Sequence, residues 1–110
     1  IATLQGRDES ALHRPGSIVG TPDYIAPEQA SGLPVDGRTD QYALAVLAFR
    51  LLVGILPFPR YPQEEPFQVA LRHIQQPPPD PRKLAPHLTD SVCDALLRAL
   101  SKDPADRFPN

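Results

Sequence analysis

The strongest pattern in the chain is a stretch where polar positions all but vanish. Gln41 to Val53, QYALAVLAFRLLV, is apolar on nearly every face, with Thr39-Asp40 as candidate N-caps and Gly54 as a C-cap. A helix of this kind, expected over about 41–53, belongs at the centre of a domain. Two flanking stretches are amphipathic instead. PFQVALRHIQ, residues 66–75, puts Phe67, Ala70, Leu71 and Ile74 on one face, between a Pro66 start and a Pro77 stop. A further helix, about 90–101, is capped by Thr89, helped at its positive end by Asp90 and Ser91, and turns Val92, Leu96, Ala99 and Leu100 inward. Pro27 to Ala30 has room for one helical turn before Ser31-Gly32-Leu33-Pro34 stops it. No run alternates as a strand would, so the fold class is mainly α.

The segments between these helices are marked by proline, 15 of 110 residues. QQPPPDP, residues 75–81, is expected to be an extended, polyproline-like connector. Residues 1–19 mix Gly6, Gly16 and charges without a period, so they are expected to form a mobile loop carrying Thr3, Ser10 and Ser17. Residues 20–110 then form a helical unit.

A formal charge of -2 offers no basic field for nucleic acid. A single cysteine, Cys93, and the scattered His13, His73 and His87 give neither a disulfide framework nor a Cys/His metal site. The apolar run from Tyr42 to Phe58 falls short of the roughly 20 residues that span a bilayer and carries Arg50 near its middle, so a buried helix is expected rather than a membrane segment. The chain opens on Ile1 rather than Met and has no secretory signal, so it reads as a piece of a longer polypeptide or a processed product.

Chemistry enters through four motifs in order: Gly20-Thr21-Pro22-Asp23-Tyr24-Ile25-Ala26-Pro27-Glu28, Asp36-Gly37-Arg38-Thr39-Asp40-Gln41-Tyr42-Ala43-Leu44, Gly54-Ile55-Leu56-Pro57-Phe58 and Lys102-Asp103-Pro104-Ala105-Asp106-Arg107-Phe108. The first resembles the end of a protein-kinase activation segment with its Ala-Pro-Glu motif. The others resemble the start of the central C-lobe helix, the turn after it and the late C-lobe arginine motif. Together they are similar to the bacterial eukaryotic-like (Hanks-type) serine/threonine protein kinases over nearly the whole chain. The fold implied is the helical C-lobe portion of a protein-kinase-like fold, without its N-lobe and catalytic loop.

The resemblance assigns roles residue by residue. Glu28 pairs with Arg107, tying the activation segment to the base of the lobe, with Pro27 as part of the stiff connector. Asp40, which on spacing alone is a simple N-cap, also accepts hydrogen bonds from the catalytic loop. Gly20, Thr21 and Tyr24 form the substrate-facing end, where Thr21 and the absence of any Trp favour Ser or Thr over Tyr as acceptor. Ser17, then Ser10 and Thr3, are candidate phosphorylation sites, where a charge near -2 would pair with an arginine. Two departures stand out: Ala45 sits where the family often has Gly, and His13-Arg14-Pro15 lacks the aspartate of the catalytic His-Arg-Asp.

Phosphoryl transfer in this family uses a glycine-rich loop, a strand lysine, a catalytic Asp with its Asn, and a magnesium-binding Asp-Phe-Gly. None of these motifs is present in the 110 residues, whose six glycines contain no Gly-x-Gly. The expectation is therefore that the parent enzyme uses ATP and Mg2+, while this chain binds neither and holds no metal. It would supply the substrate-facing segment and scaffold to a protein substrate, with the kinase N-lobe and catalytic loop as its missing partners. The alternative is a catalytically dead, kinase-derived module that binds partner proteins through the Phe67 to Ile74 helix and the Pro-rich loops. A cytoplasmic location is expected, with any anchor lying outside this chain.

Overall fold

In the computed structural model, residues 22–109 are described. They form α1 (Pro27–Ala30), α2 (Gly37–Val53), α3 (Pro66–Gln75), α4 (Pro81–Leu84), α5 (Asp90–Ala99) and a 3-10 turn at Pro104–Asp106. The mainly α reading holds: no strand occurs among the described residues. Short α1 packs on α3, while α5 lies against α2 and α4.

Helix α2 begins four residues before the expected start. Its cap is Asp36, whose side chain accepts the Arg38 N–H at 2.9 Å, while Thr39 Oγ1 accepts the Asp36 N–H at 3.2 Å. Thr39 and Asp40 therefore sit inside the first turn, and the simple N-cap reading of Asp40 is corrected. Asp36 and Thr39 together satisfy the turn, which lets Gly37 be helical despite its poor propensity. At the other end Gly54 takes φ 97°, a left-handed conformation costly for any residue with a Cβ, and its N–H closes on Arg50 O at 2.9 Å.

One face of α2 is the core. Tyr42, Ala45, Val46 and Phe49 are buried with Ala26, Leu96, Ala99 and Leu100. The opposite face is open, with Leu44 60% and Leu51 74% exposed and Leu47 partly so. An all-apolar sequence could not say which side these neighbours cover. An apolar groove of about 320 Å³ continues this face between α2 and α5, lined by Gln41, Leu44, Ala48, Val92, Ala95 and Ala99 among others. Leu51→Lys is thus expected to change unfolding stability by less than about 0.5 kcal/mol while reducing self-association in analytical ultracentrifugation. A large loss of stability would mean that the leucine is covered.

Helix α3 matches its expected bounds, but its buried face is rotated. Val69, Ala70 and His73 point inward, whereas Phe67 and Leu71 are exposed and Ile74 is half-buried. His73 takes a place in the interior because Tyr42 supplies a polar partner there. Helix α5 likewise buries Cys93, Leu96 and Ala99 and leaves Val92 outside, ending at Ala99 with Leu100 as its cap.

The proline connector ends in α4, which starts on its last residue, Pro81. Asp80 accepts the Arg82 N–H at 3.0 Å and Pro81 occupies the first helical position, where its missing N–H costs nothing. None of the helices among the described residues is long and apolar enough to cross a membrane.

Candidate functional site

The most completely bonded group of polar residues lies where α1, the start of α2 and the last turn meet. Pro27 opens α1, and the Ala26 N–H is taken up by Gln29 Oε1 at 3.2 Å, so Glu28 is presented from a fixed turn. Arg107 follows the 3-10 turn, whose start is set by Asp103 accepting the Ala105 N–H at 2.9 Å. The fold brings these two residues, 79 positions apart, into a bidentate pair: Nη1 donates to Glu28 Oε2 at 2.7 Å and Nη2 to Oε1 at 2.9 Å. Their side chains are 0% and 4% exposed.

The remaining Arg107 donors reach backbone oxygens. Nε donates to Ser101 O at 2.8 Å, Nη1 also to Arg38 O at 2.9 Å, and Nη2 also to Lys102 O at 3.4 Å. The guanidinium has five N–H groups, and these contacts use every one. Thr39 Oγ1 donates to Glu28 Oε2 at 2.8 Å, and the Tyr42 ring lies 4.9 Å from the guanidinium carbon. Burial pushes the Glu28 carboxyl up, but hydrogen bonds from Arg107, its own backbone and Thr39, together with the Arg107 charge, outweigh burial and hold it below the usual carboxylate range.

A second polar group sits beneath. Tyr42 Oη and His73 Nδ1 are 2.7 Å apart, and the Phe58 ring meets the imidazole edge-on at 4.8 Å. Burial, reinforced by the Lys102 and Arg72 charges and opposed by hydrogen bonding to the Asp23 backbone, pushes the His73 imidazole down to about 3. His73 is thus neutral at pH 7, and its Nδ1 shares one hydrogen bond with the Tyr42 hydroxyl, the donor being set by the imidazole tautomer. Lys102 Nζ donates to His73 O at 2.7 Å and Arg72 O at 3.4 Å, placing a cation at the negative end of α3. Burial and the Arg107 charge lower this amine to about 8.

The segment leading into α1 is held by its own turn and by α2. Ile25 N–H returns to Pro22 O at 3.1 Å, making a turn, and Arg50 Nη1 donates to Tyr24 Oη at 2.8 Å. Asp40 is half-buried in the first turn of α2, and its Oδ1 is enclosed without a hydrogen-bond partner among the described residues. At the chain's far end Gln41 Nε2 donates to Phe108 O at 3.1 Å and Gln41 Oε1 accepts the Phe108 N–H at 3.0 Å, fastening that end to α2.

Glu28, Pro27, Arg107 and Asp40 therefore gather around the start of α2, with Tyr24 further along the helix at Arg50. Gly20, Thr21, Ser17, Ser10 and Thr3 lie outside the described residues. Thr39, Tyr42, His73 and Lys102 had no site role in the sequence reading. Of these only Thr39 had a local signal, its three-residue spacing from Asp36. Among the described residues no three His, Cys, Asp or Glu side chains converge to hold a metal ion.

Relatives place this geometry in a known family. The protein kinase domain family matches residues 3–109. Serine/threonine-protein kinase Pkn1 of Myxococcus xanthus is 47% identical over 94 residues, covering 84% of this chain and 13% of the relative. PksC of Streptomyces coelicolor, a serine/threonine-protein kinase, is 40% identical across 86% of the chain and 16% of its own length. The DNA damage-responsive serine/threonine-protein kinase RqkA of Deinococcus radiodurans is 44% identical across 89% of the chain and 14% of its own length. The chain thus spans less than a fifth of these relatives. With its four motifs in order, a helical scaffold and a match over nearly its whole length, the chain belongs to the protein kinase domain family, in the company of bacterial Hanks-type serine/threonine kinases.

Proposed function

We propose that this chain is the part of a serine/threonine protein kinase that positions the protein substrate, in an enzyme that transfers the ATP γ-phosphate to Ser or Thr. The observation that carries this reading is the buried Glu28–Arg107 pair, with its bidentate contacts at 2.7 and 2.9 Å. It fastens the segment ending in α1 to the helical base, so that Pro22 to Tyr24 have a rigid support. Gly20, Thr21 and Tyr24 would face the substrate, and Ser17, Ser10 and Thr3 would be available for phosphorylation. The enclosed Asp40 Oδ1 supports a role for Asp40 as an acceptor of backbone N–H groups from a catalytic loop supplied by other residues. ATP and Mg2+ would be held by residues outside this chain, and no chemical step is assigned to its own side chains.

The test compares two proteins with radiolabelled ATP, Mg2+ and a general Ser/Thr substrate. The intact gene product containing this chain is expected to incorporate phosphate on Ser or Thr, and residues 1–110 alone are expected to incorporate none. Robust incorporation by the 110 residues would overturn the division of labour. An inert gene product would favour the second reading, a catalytically dead partner-binding module, whose supporting observation is the outward position of Phe67 and Leu71 on α3.

A further inference from the structure

Glu28, Thr39 and Arg107 are buried and bond to one another, whereas His73, 0% exposed, stands on α3 in a different network. Its Nδ1 meets Tyr42 Oη at 2.7 Å, and the rings of Tyr42 and Phe58 stand edge-on to the imidazole at 5.7 and 4.8 Å. These contacts fix the plane of the imidazole and with it the direction of Nε2.

Nε2 is enclosed and makes no hydrogen bond of ordinary geometry, yet the Asp23 backbone is near enough to favour a proton on the ring. Among backbone groups only a carbonyl acts in that direction, so with Nδ1 taken by Tyr42 the neighbour of Nε2 is Asp23 O. A bare lone pair there would repel that oxygen, whereas an N–H would meet it. Asp23 itself lies in the turn closed by Ile25 N–H on Pro22 O at 3.1 Å, just before α1, and α1 packs on α3.

We propose that His73 is a positioning residue: as the Nε2–H tautomer it accepts a hydrogen bond from the Tyr42 hydroxyl at Nδ1 and donates to Asp23 O, so that α2 and α3 together set the backbone of Pro22 to Tyr24. The proposal rests on the reading of that segment as substrate-facing. His73 touches no substrate. It acts through the Asp23 backbone, and without it a bound peptide must order the segment that His73 otherwise holds in place.

The experiment uses the intact gene product and joins steady-state kinetics on a Ser peptide to amide hydrogen exchange. His73→Leu is expected to raise the peptide KM by about two- to tenfold, the range that one lost hydrogen bond spans, and to leave the KM for ATP unchanged. Exchange at Asp23 to Ile25 should rise by a similar factor while the amides of α5 exchange as in wild type. His73→Gln, whose amide supplies a donor where Nε2 sits, should restore both readouts to within about twofold of wild type. Tyr42→Phe keeps the ring beside Arg107 and removes the hydroxyl that orients the imidazole, so a smaller rise in both is expected, and it keeps the test decisive should the leucine variant not fold. An equal rise across α5, a KM for ATP that moves with that for peptide, or a glutamine variant no better than leucine overturns the proposal, since each marks a general loss of packing. Phosphate incorporation by wild type with unchanged exchange and KM in the variants sinks only the role of His73. A wild type that incorporates no phosphate sinks the kinase reading, and exchange at Asp23 to Ile25 then decides the His73 contact by itself.

Discussion

Arg107→Met is expected to lower the unfolding free energy by about 3 to 5 kcal/mol, because it leaves the Glu28 carboxylate buried without its counter-charge. Total stabilities of about 5 to 15 kcal/mol make that a large fraction, so urea melts of wild type and variant should separate clearly. Glu28→Met should cost a similar amount through the stranded guanidinium. Exchanging the two residues should not rescue either loss. Arg107 serves three backbone carbonyls as well as the carboxylate, those of Arg38, Ser101 and Lys102, and a glutamate there would meet them with like partial charge. Arg107→Lys keeps the charge but brings three donors to a site with five contacts, so an intermediate loss of about 1 to 3 kcal/mol is expected. A loss under about 1 kcal/mol for Arg107→Met would show that the pair is solvated in solution.

Stability should also fall as pH drops from neutrality, and the sign follows from His73. Its folded value is near 3 against an ordinary 6.5, so between these pH values the unfolded chain binds a proton that the native state refuses. The contribution is fully present above about pH 6.5 and is lost progressively toward pH 3. By pH 4.5 the loss from this group alone should be about 2 to 3 kcal/mol. Glu28 acts in the same direction but later, since its carboxyl lies below the ordinary 4.5 and its contribution is lost only as pH falls through the folded value. Urea midpoints at pH 7.5, 6 and 5 check this, with His73→Gln expected to flatten the slope. Equal wild-type stability from pH 7.5 to 5 would mean that the imidazole is not held neutral.

These two predictions differ in how much of them was legible beforehand. Residue pattern and family resemblance together named Glu28 and Arg107, because each sits inside a motif whose order along the chain is specific. Neither gave the five-acceptor shell of Arg107, since three of its acceptors are backbone carbonyls, which every residue carries and no side-chain pattern reports. His73 went unassigned for a related reason. A histidine on an amphipathic helix reads as polar and outward until Tyr42, 31 positions away, is seen to meet its Nδ1. The inward face of α3 was misjudged by a fraction of a turn, because Phe67 and Leu71 are apolar yet lie where no described element covers them, whereas on α5 Leu96, Ala99 and Leu100 are buried as expected and Val92 alone of the four lies outside.

By itself the sequence determined the mainly α class, the existence of the central helix, the bounds of α3 and the motif order that carries the family, since periodicity, proline and capping are local effects acting over a few residues. Only the tertiary structure decided which side of α2 is core and that Arg50 is held by Tyr24. Which face is buried depends on what packs there, and a buried charge depends on every donor and acceptor within about 3 Å, contributed by segments that the chain order keeps far apart.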